Sequence, residues 1–119
     1  MTWATLYLRV RGGTVPVRVR WTGSRTKATA LAVRFHDPSG HDPPDHRPQP
    51  DGTVVLVARP STVEDAIEIT EWAADHASEF ITDSGRLLVG GVGGGAAMAA
   101  AVVRHAAQYG WPTLTRETL

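Results

Sequence analysis

The sequence of 119 residues contains no cysteine, so it offers no disulfide framework. It also has no apolar stretch approaching the ~20 residues that span a bilayer, and residues 1–5 lack the charged start and apolar core of a signal peptide. We therefore expect a cytoplasmic protein with no membrane partner. The length suits one compact domain with one core, which we take to extend over residues 1–119.

The sequence also carries no net charge, because its 12 basic and 12 acidic side chains balance. This balance gives no long-range attraction to nucleic acid, which we exclude as a partner. The charges are nevertheless unevenly spread: seven of the 12 basic residues precede the first acid, Asp37, and seven of the 12 acids lie between Glu64 and Asp83. Such an asymmetry could pair two oppositely charged surfaces, within one chain or between two copies.

Alternating polar and apolar residues predict strands in the first half of the chain. Residues 2–10 and 15–21 alternate on either side of a Gly-Gly pair, which predicts an antiparallel hairpin. Residues 28–35 form a third such run. Residues 53–58 are apolar on both faces, which is typical of a central strand in a parallel sheet.

Apolar residues at helical spacing predict a helix over residues 61–80, with Ser61 and Glu64 in a capping-box pattern. A strand over 86–89 follows, and then a helix over about 94–109 that is apolar nearly all round and therefore expected to be buried. A last short strand is predicted within 113–119. The fold class is thus α/β, with a mostly parallel sheet of about six strands that begins with an N-terminal antiparallel hairpin.

The strand over 86–89 enters the second helix through a turn rich in glycine. In the G-x-S-x-G turn of serine hydrolases, a nucleophilic serine sits on a sharp strand-to-helix turn with small neighbours. The matching positions here are Gly91, Val92, Gly93, Gly94 and Gly95. A glycine, Gly93, therefore occupies the serine position.

The order of these elements resembles the first half of an α/β-hydrolase, in the lipase/esterase branch related to hormone-sensitive lipase. The resemblance is carried by a helix containing Asp65 and Trp72 that leads into residues 86–91 (RLLVGG), and by residues 110–114 (GWPTL). It is most specific over residues 61–119. It implies a minimal α/β-hydrolase-like sandwich of three layers.

The departures from that family concern its catalytic residues. The family's H-G-G-G oxyanion segment is matched by residues 36–40 (HDPSG), in which only His36 is kept and Pro38 has no N–H to donate. The nucleophile position is Gly93. We also expect the later segments, which carry the family's catalytic acid and histidine, to be absent. The resemblance therefore predicts no serine-esterase activity.

Two further interpretations of the glycine turn stay open. Its backbone N–H groups, over residues 91–95, could bind a small-molecule ligand or an anion such as a phosphate or carboxylate. The pattern Gly91-x-Gly93-x-x-Ala96 also fits a dinucleotide fingerprint. That fingerprint belongs on the first strand of a βαβ unit with an acid about 20 residues later, which this chain does not supply, so we expect no cofactor.

In the loop between the third and fourth strands, residues 36–46 contain three of the five histidines and three aspartates. Imidazole and carboxylate suit a divalent metal ion, although the spacing matches no fixed metal-site motif and a solvated loop is the simpler interpretation. Weak candidates for acid/base catalysis are His36, Asp37, Ser39 and His41. Weak candidates for metal ligands are His36, His41, Asp42, Asp45 and His46.

We therefore predict a non-catalytic α/β-hydrolase-like domain, a pseudo-esterase, that binds a small molecule or a protein partner. The alternative is a small enzyme that uses acid/base or metal-assisted chemistry in the His/Asp loop. A third hypothesis is a structural partner that uses its acidic helix or basic hairpin. Because an unpaired final strand invites pairing with a second copy, we also expect a homodimer through the C-terminal edge strand.

Overall fold

The computed structural model describes residues 2–21, 28–37 and 52–117, which form a six-stranded sheet with two helices packed on one face. The strands are β1 (Thr2–Val10), β2 (Gly13–Trp21), β3 (Ala28–Phe35), β4 (Thr53–Ala58), β5 (Ile81–Gly91) and β6 (Thr115–Arg116). The helices are α1 (Val63–Asp75) and α2 (Gly95–Tyr109), with a short 3-10 helix over Ala77–Glu79. None of the helices in these ranges has the length and apolar character needed to cross a membrane.

The strands lie in the order β1-β2-β4-β3-β5-β6. β1 and β2 form the predicted antiparallel hairpin, and β2 is also antiparallel to β4. The other neighbours, β4 with β3, β3 with β5 and β5 with β6, are parallel. The predicted fold class is confirmed, and the described residues supply two of the three predicted layers, the sheet and one layer of helices.

One face of the sheet carries the hydrophobic core. Apolar residues alternate along the strands and face the two helices, as a period of two requires. A fully buried Val, Leu, Ile or Phe side chain contributes about 1.5–3 kcal/mol to stability. The largest buried apolar side chains of this core are Val17, Leu31, Val33, Phe35, Leu56, Ile69 and Val89.

The first helix begins and ends inside the predicted bounds. Its N-cap is Thr62, whose side-chain oxygen accepts a hydrogen bond from the backbone N–H of Asp65 at 3.1 Å. The predicted capping box of Ser61 and Glu64 is therefore wrong by one residue. Either residue type can cap a helix, and the packing of α1 on the sheet decides which one has the extended backbone of a cap.

The carboxylates of α1 hold the tip of the hairpin. Asp65 is only 3% exposed, and its Oδ1 accepts a hydrogen bond from the backbone N–H of Gly12 at 3.1 Å. Oε2 of Glu68 accepts one from the backbone N–H of Arg11 at 2.6 Å. Because these two N–H groups lie at the turn between β1 and β2, the carboxylates fix the hairpin against α1.

The second helix is not buried on all sides, contrary to the prediction. Its buried face comprises Gly95, Ala99, Val102 and Ala106, whereas Arg104 and several alanines are exposed or half-buried. An exposed alanine costs little, because its side chain is small and it favours the helix. The apolar composition of this helix therefore predicts more burial than the structure shows. The helix ends at Gly110, whose φ of 74° is the left-handed conformation common at helix C-termini.

A partly buried ion pair attaches β6 to the sheet. The guanidinium of Arg34 on β3 forms two parallel contacts with Glu117, with Nε to Oε1 at 3.1 Å and Nη2 to Oε2 at 3.0 Å. Arg34 is in register with Gly90 of β5, so it reaches across a strand position that has no side chain. The backbone N–H of Glu117 also donates to Val89 O at 2.7 Å.

We expect Glu117→Ala to lower the free energy of unfolding by roughly 3 kcal/mol, because it removes the carboxylate from a guanidinium that is almost fully buried. Arg116→Ala removes an exposed neighbouring side chain and should change stability by less than about 0.5 kcal/mol. Urea denaturation followed by circular dichroism measures both values. Equal effects of the two substitutions would show that the pair does not stabilise β6.

Candidate functional site

The candidate site lies where the carboxyl ends of β3 and β5 meet. From β3 the chain continues to β4 on one side, and from β5 it continues through α2 to β6 on the other. Neighbouring parallel strands whose connections leave in opposite directions leave a crevice between them, and ligands of open α/β sheets bind there. We call this place the elbow crevice. Its walls are residues 36–37 after β3 and residues 91–95 after β5.

The turn from β5 into α2 is built by backbone hydrogen bonds. The N–H of Val92 donates to Phe35 O at 2.9 Å and so fastens the turn to the end of β3. The N–H groups of Gly95 and Ala96 then donate to Val92 O and Gly93 O, at 3.0 and 3.2 Å, which begins the helical course. Gly93 lies at the apex with a φ of 58°.

Two glycines of this turn are required by close packing. A Cβ atom on Gly91 would overlap the backbone carbonyl of Gly95, and a Cβ on Gly95 would overlap the backbone carbonyl of Phe35. Both obstacles are main-chain atoms, which cannot rotate away as a side chain can. The first turn of α2 therefore rests directly on the backbone of β5 and β3.

A carboxylate from β3 stands at the start of α2. A Cβ on Gly94, the N-cap of α2, would lie 2.7 Å from Oδ2 of Asp37, so this carboxylate lies against the helix N-terminus. The first turn of α2 has no acidic residue of its own and no capping side chain at Gly94. A negative charge at this end of a helix is stabilised by the helix dipole, which gives Asp37 a structural reason for its position.

The neighbours of Asp37 hold the end of β3 in place. Nη1 of the exposed Arg59, directly after β4, donates to the backbone carbonyl of Asp37 at 2.6 Å. The backbone N–H of His36 donates to Ala58 O at 3.0 Å, and its side chain is 3% exposed. Main-chain contacts on both sides of Asp37 thus fix the carboxylate opposite Gly94.

The structure places the sequence-predicted site residues as follows. The glycine turn of residues 91–95 and Asp37 border the elbow crevice, and His36 lies buried beside it. The candidates Ser39, His41, Asp42, Asp45 and His46 lie outside the described residues. Within 2–21, 28–37 and 52–117, no group of three or more His, Asp or Glu side chains could hold a metal ion.

Sequence reasoning missed Arg59 and the contact between Asp37 and α2. Arg59 follows a central strand directly, and a charged residue at the carboxyl end of such a strand could have been recognised as bordering the crevice. The contact of Asp37 with Gly94 joins residues that are far apart in sequence. No local sequence pattern indicates this contact.

Comparison with known proteins agrees with this geometry. The sequence profile of the alpha/beta hydrolase fold matches residues 58–118, which is just over half of the chain. The chain belongs to the α/β-hydrolase family. In this fold a strand, a sharp turn and a helix present the nucleophile at the third residue of the turn, so Gly93 stands where a catalytic hydrolase has its serine.

Several solved esterases share the fold of this α/β-hydrolase chain. An esterase from Pyrobaculum calidifontis is 19% identical with a TM-score of 0.73, over 97% of this chain and 43% of its own length. A thermostable esterase from Pseudomonas putida is 20% identical with a TM-score of 0.70, over 95% and 41%. A thermophilic carboxylesterase cloned from a metagenomic library is 20% identical with a TM-score of 0.69, over 92% and 42%.

The chain thus spans about two fifths of the length of these esterases, and identities of 17–20% show the shared fold alone. No curated protein matches the sequence. The resemblance to the lipase/esterase branch that the sequence predicts is confirmed at the level of the fold. The chemistry of this domain has to be argued from its own residues.

We expect Gly95→Ala to destabilise the domain by about 3 kcal/mol or more, because the new methyl group would overlap a backbone carbonyl and force α2 away from β3. Gly94→Ala is the matched control. Its methyl group meets the end of the Asp37 side chain, which can move aside, so we expect a smaller change, of about 1 kcal/mol. Thermal unfolding by differential scanning calorimetry compares them, and a fully stable Gly95→Ala variant would contradict the close packing.

Proposed function

We propose that this domain is a non-hydrolytic α/β-hydrolase, a pseudo-esterase that binds a partner molecule in the elbow crevice instead of cleaving an ester. The observation that carries the proposal is Gly93 at the apex of the strand-to-helix turn. A glycine has neither a hydroxyl nor any other group that could form an acyl intermediate. The fold supports the turn, but the turn presents no nucleophile.

The charge at the crevice supports the same conclusion. In hydrolases of this fold, the N–H of the residue after the nucleophile helps to stabilise the oxyanion of the transition state. That residue here is Gly94, against which the Asp37 carboxylate lies. The carboxylate of Asp37 would repel an oxyanion that developed at this place, because like charges repel. The repulsion therefore opposes the contribution that an oxyanion donor makes to catalysis.

The same carboxylate indicates which small molecules the crevice suits. Asp37 accepts hydrogen bonds and repels other anions, so it favours a ligand that presents an N–H group or a positive charge. Gly93 at the apex has no side chain, so an apolar portion of the ligand could lie beside it. The partner we propose is therefore a small molecule with a donor group, and an anion would have to displace Asp37 from Gly94.

A second candidate function rests on the placement of Asp37. A carboxylate held in a crevice beside a turn without side chains could act as a general base, so a small enzyme with acid/base or metal-assisted chemistry through His36 and Asp37 is the alternative. The two proposals differ in one respect. The enzyme needs Asp37 for turnover, whereas the pseudo-esterase turns nothing over.

We expect the purified protein to hydrolyse 4-nitrophenyl acetate no faster than buffer and to remain unlabelled by a fluorophosphonate, because both reactions need a nucleophile that Gly93 does not supply. Asp37→Asn should leave the rate unchanged, and so should Asp75→Asn, an exposed acid on α1. Hydrolysis by the wild type that is lost only in Asp37→Asn would establish the acid/base enzyme instead. Labelling by the fluorophosphonate would contradict the pseudo-esterase directly.

We expect propylamine to bind the wild type with a millimolar Kd, as a ligand of so few atoms allows, and to shift the NMR amide signals of Gly93 and Gly94. Asp37→Asn should weaken this binding about tenfold, because a charge-assisted hydrogen bond is lost. Asp75→Asn should leave it unchanged. Propionate should shift neither signal. A stronger response to propionate than to propylamine would show that the turn binds anions and that the proposed ligand class is wrong.

A further inference from the structure

The two outer strands of the sheet differ in the length of unpaired backbone that a partner strand could bind. β6 has two residues, Thr115–Arg116, and both are exposed. β1 has nine residues, Thr2–Val10, and among the described residues it is paired on one side only, with β2. An unpaired strand edge presents a row of free N–H and C=O groups that another strand can bind. β1 offers a long row, whereas β6 offers almost none.

β1 also lacks the features that protect edge strands from pairing. It contains no proline, no lysine and no charged residue on its core face, and its register with β2 is unbroken from Thr2 to Val10. A strand of nine residues is near the upper end of the usual range. Natural proteins shield such edges by shortness, bulges, prolines or lysines. β6 is protected by shortness, and β1 by none of these.

We propose that β1 pairs in antiparallel fashion with β1 of a second copy of this chain, which joins the two six-stranded sheets into one. A twofold axis perpendicular to the sheet keeps the two faces aligned. Leu6, which is half-buried, then lies next to the core-facing side chains of β1 in the second copy. On the other face, pairing covers part of Tyr7, a large hydrophobic side chain that is 71% exposed.

The charges of β1 allow this symmetric pairing. Arg9 is the only charged residue of the strand and lies near one end. An antiparallel arrangement centred on Tyr7 places Arg9 opposite Thr5 of the second copy, so the two arginines lie at opposite ends. It also places the two Tyr7 rings across from each other, and cross-strand aromatic pairs stabilise sheets. A second copy is therefore complementary to this edge in hydrogen bonding, apolar surface and charge.

The dimer proposed here goes beyond ligand binding and holds whether or not the elbow crevice binds a small molecule. It retains the homodimer expected from the sequence but assigns it to β1 rather than to the C-terminal edge. Dimerisation through residues 113–117 is the competing outcome. The two interfaces lie at opposite edges of one sheet, so substitutions and amide exchange can distinguish them.

Analytical ultracentrifugation of the purified chain tests the proposal with two matched variants. Tyr7→Lys places a lysine on the β1 edge, opposite the same lysine of the second copy, and should weaken the dimer by about tenfold or more. Tyr109→Lys changes a tyrosine of nearly equal exposure, 69%, at the end of α2 and should leave the dimer intact. Both side chains are exposed, so circular dichroism should show folded protein in each case.

Hydrogen exchange followed by mass spectrometry gives an independent readout. Amides of residues 2–10 should exchange more slowly as the protein concentration rises, while those of residues 113–117 should not change. A wild type that stays monomeric would overturn the proposal. So would a dimer that Tyr7→Lys leaves intact, a dimer that both variants abolish, or concentration-dependent protection confined to residues 113–117.

Discussion

The architecture of this domain depends on the direct contact between the first turn of α2 and the backbone of β3 and β5. Gly91 and Gly95 allow that contact, because any side chain at either position would overlap a main-chain carbonyl. The contact places Gly93 and Gly94 above the sheet and beside the end of β3. It also keeps Gly91 and Gly95 free of side chains, and the carboxylate of Asp37, two residues after β3, lies against the turn at Gly94. The position of Asp37 at the helix N-terminus is thus a consequence of backbone packing.

Most of the fold could be predicted from local patterns. The residues of β1, β3 and β4 follow from alternation or continuous apolar character, and both helices follow from their spacing and end signals. The errors arose where tertiary contacts decide between local alternatives. Thr62 rather than Ser61 caps α1, and Asp65 is buried because its carboxylate holds the hairpin tip. A sequence shows that Asp65 is acidic, but not that a backbone N–H 53 residues away needs an acceptor.

The site was predictable in part. The glycine turn is a continuous motif, so its place between a strand and a helix and the missing serine at Gly93 could be recognised from the sequence. The partners of the turn could not, because Asp37 and Arg59 come from the ends of other strands. They meet the turn through strand order, which arranges β4, β3 and β5 side by side. Their identity as crevice residues required the three-dimensional arrangement.

The packing of the elbow turn does not depend on a side chain at its apex. Of its glycines, Gly91 and Gly95 serve packing and are needed whatever residue stands between them. The apex residue, Gly93, has a positive φ, which is a strain for serine but not for glycine. Gly93 therefore adopts the apex conformation without backbone strain and presents no side chain there. Asp37 lies beside Gly94, and a negative charge at this helix N-terminus strengthens the start of α2.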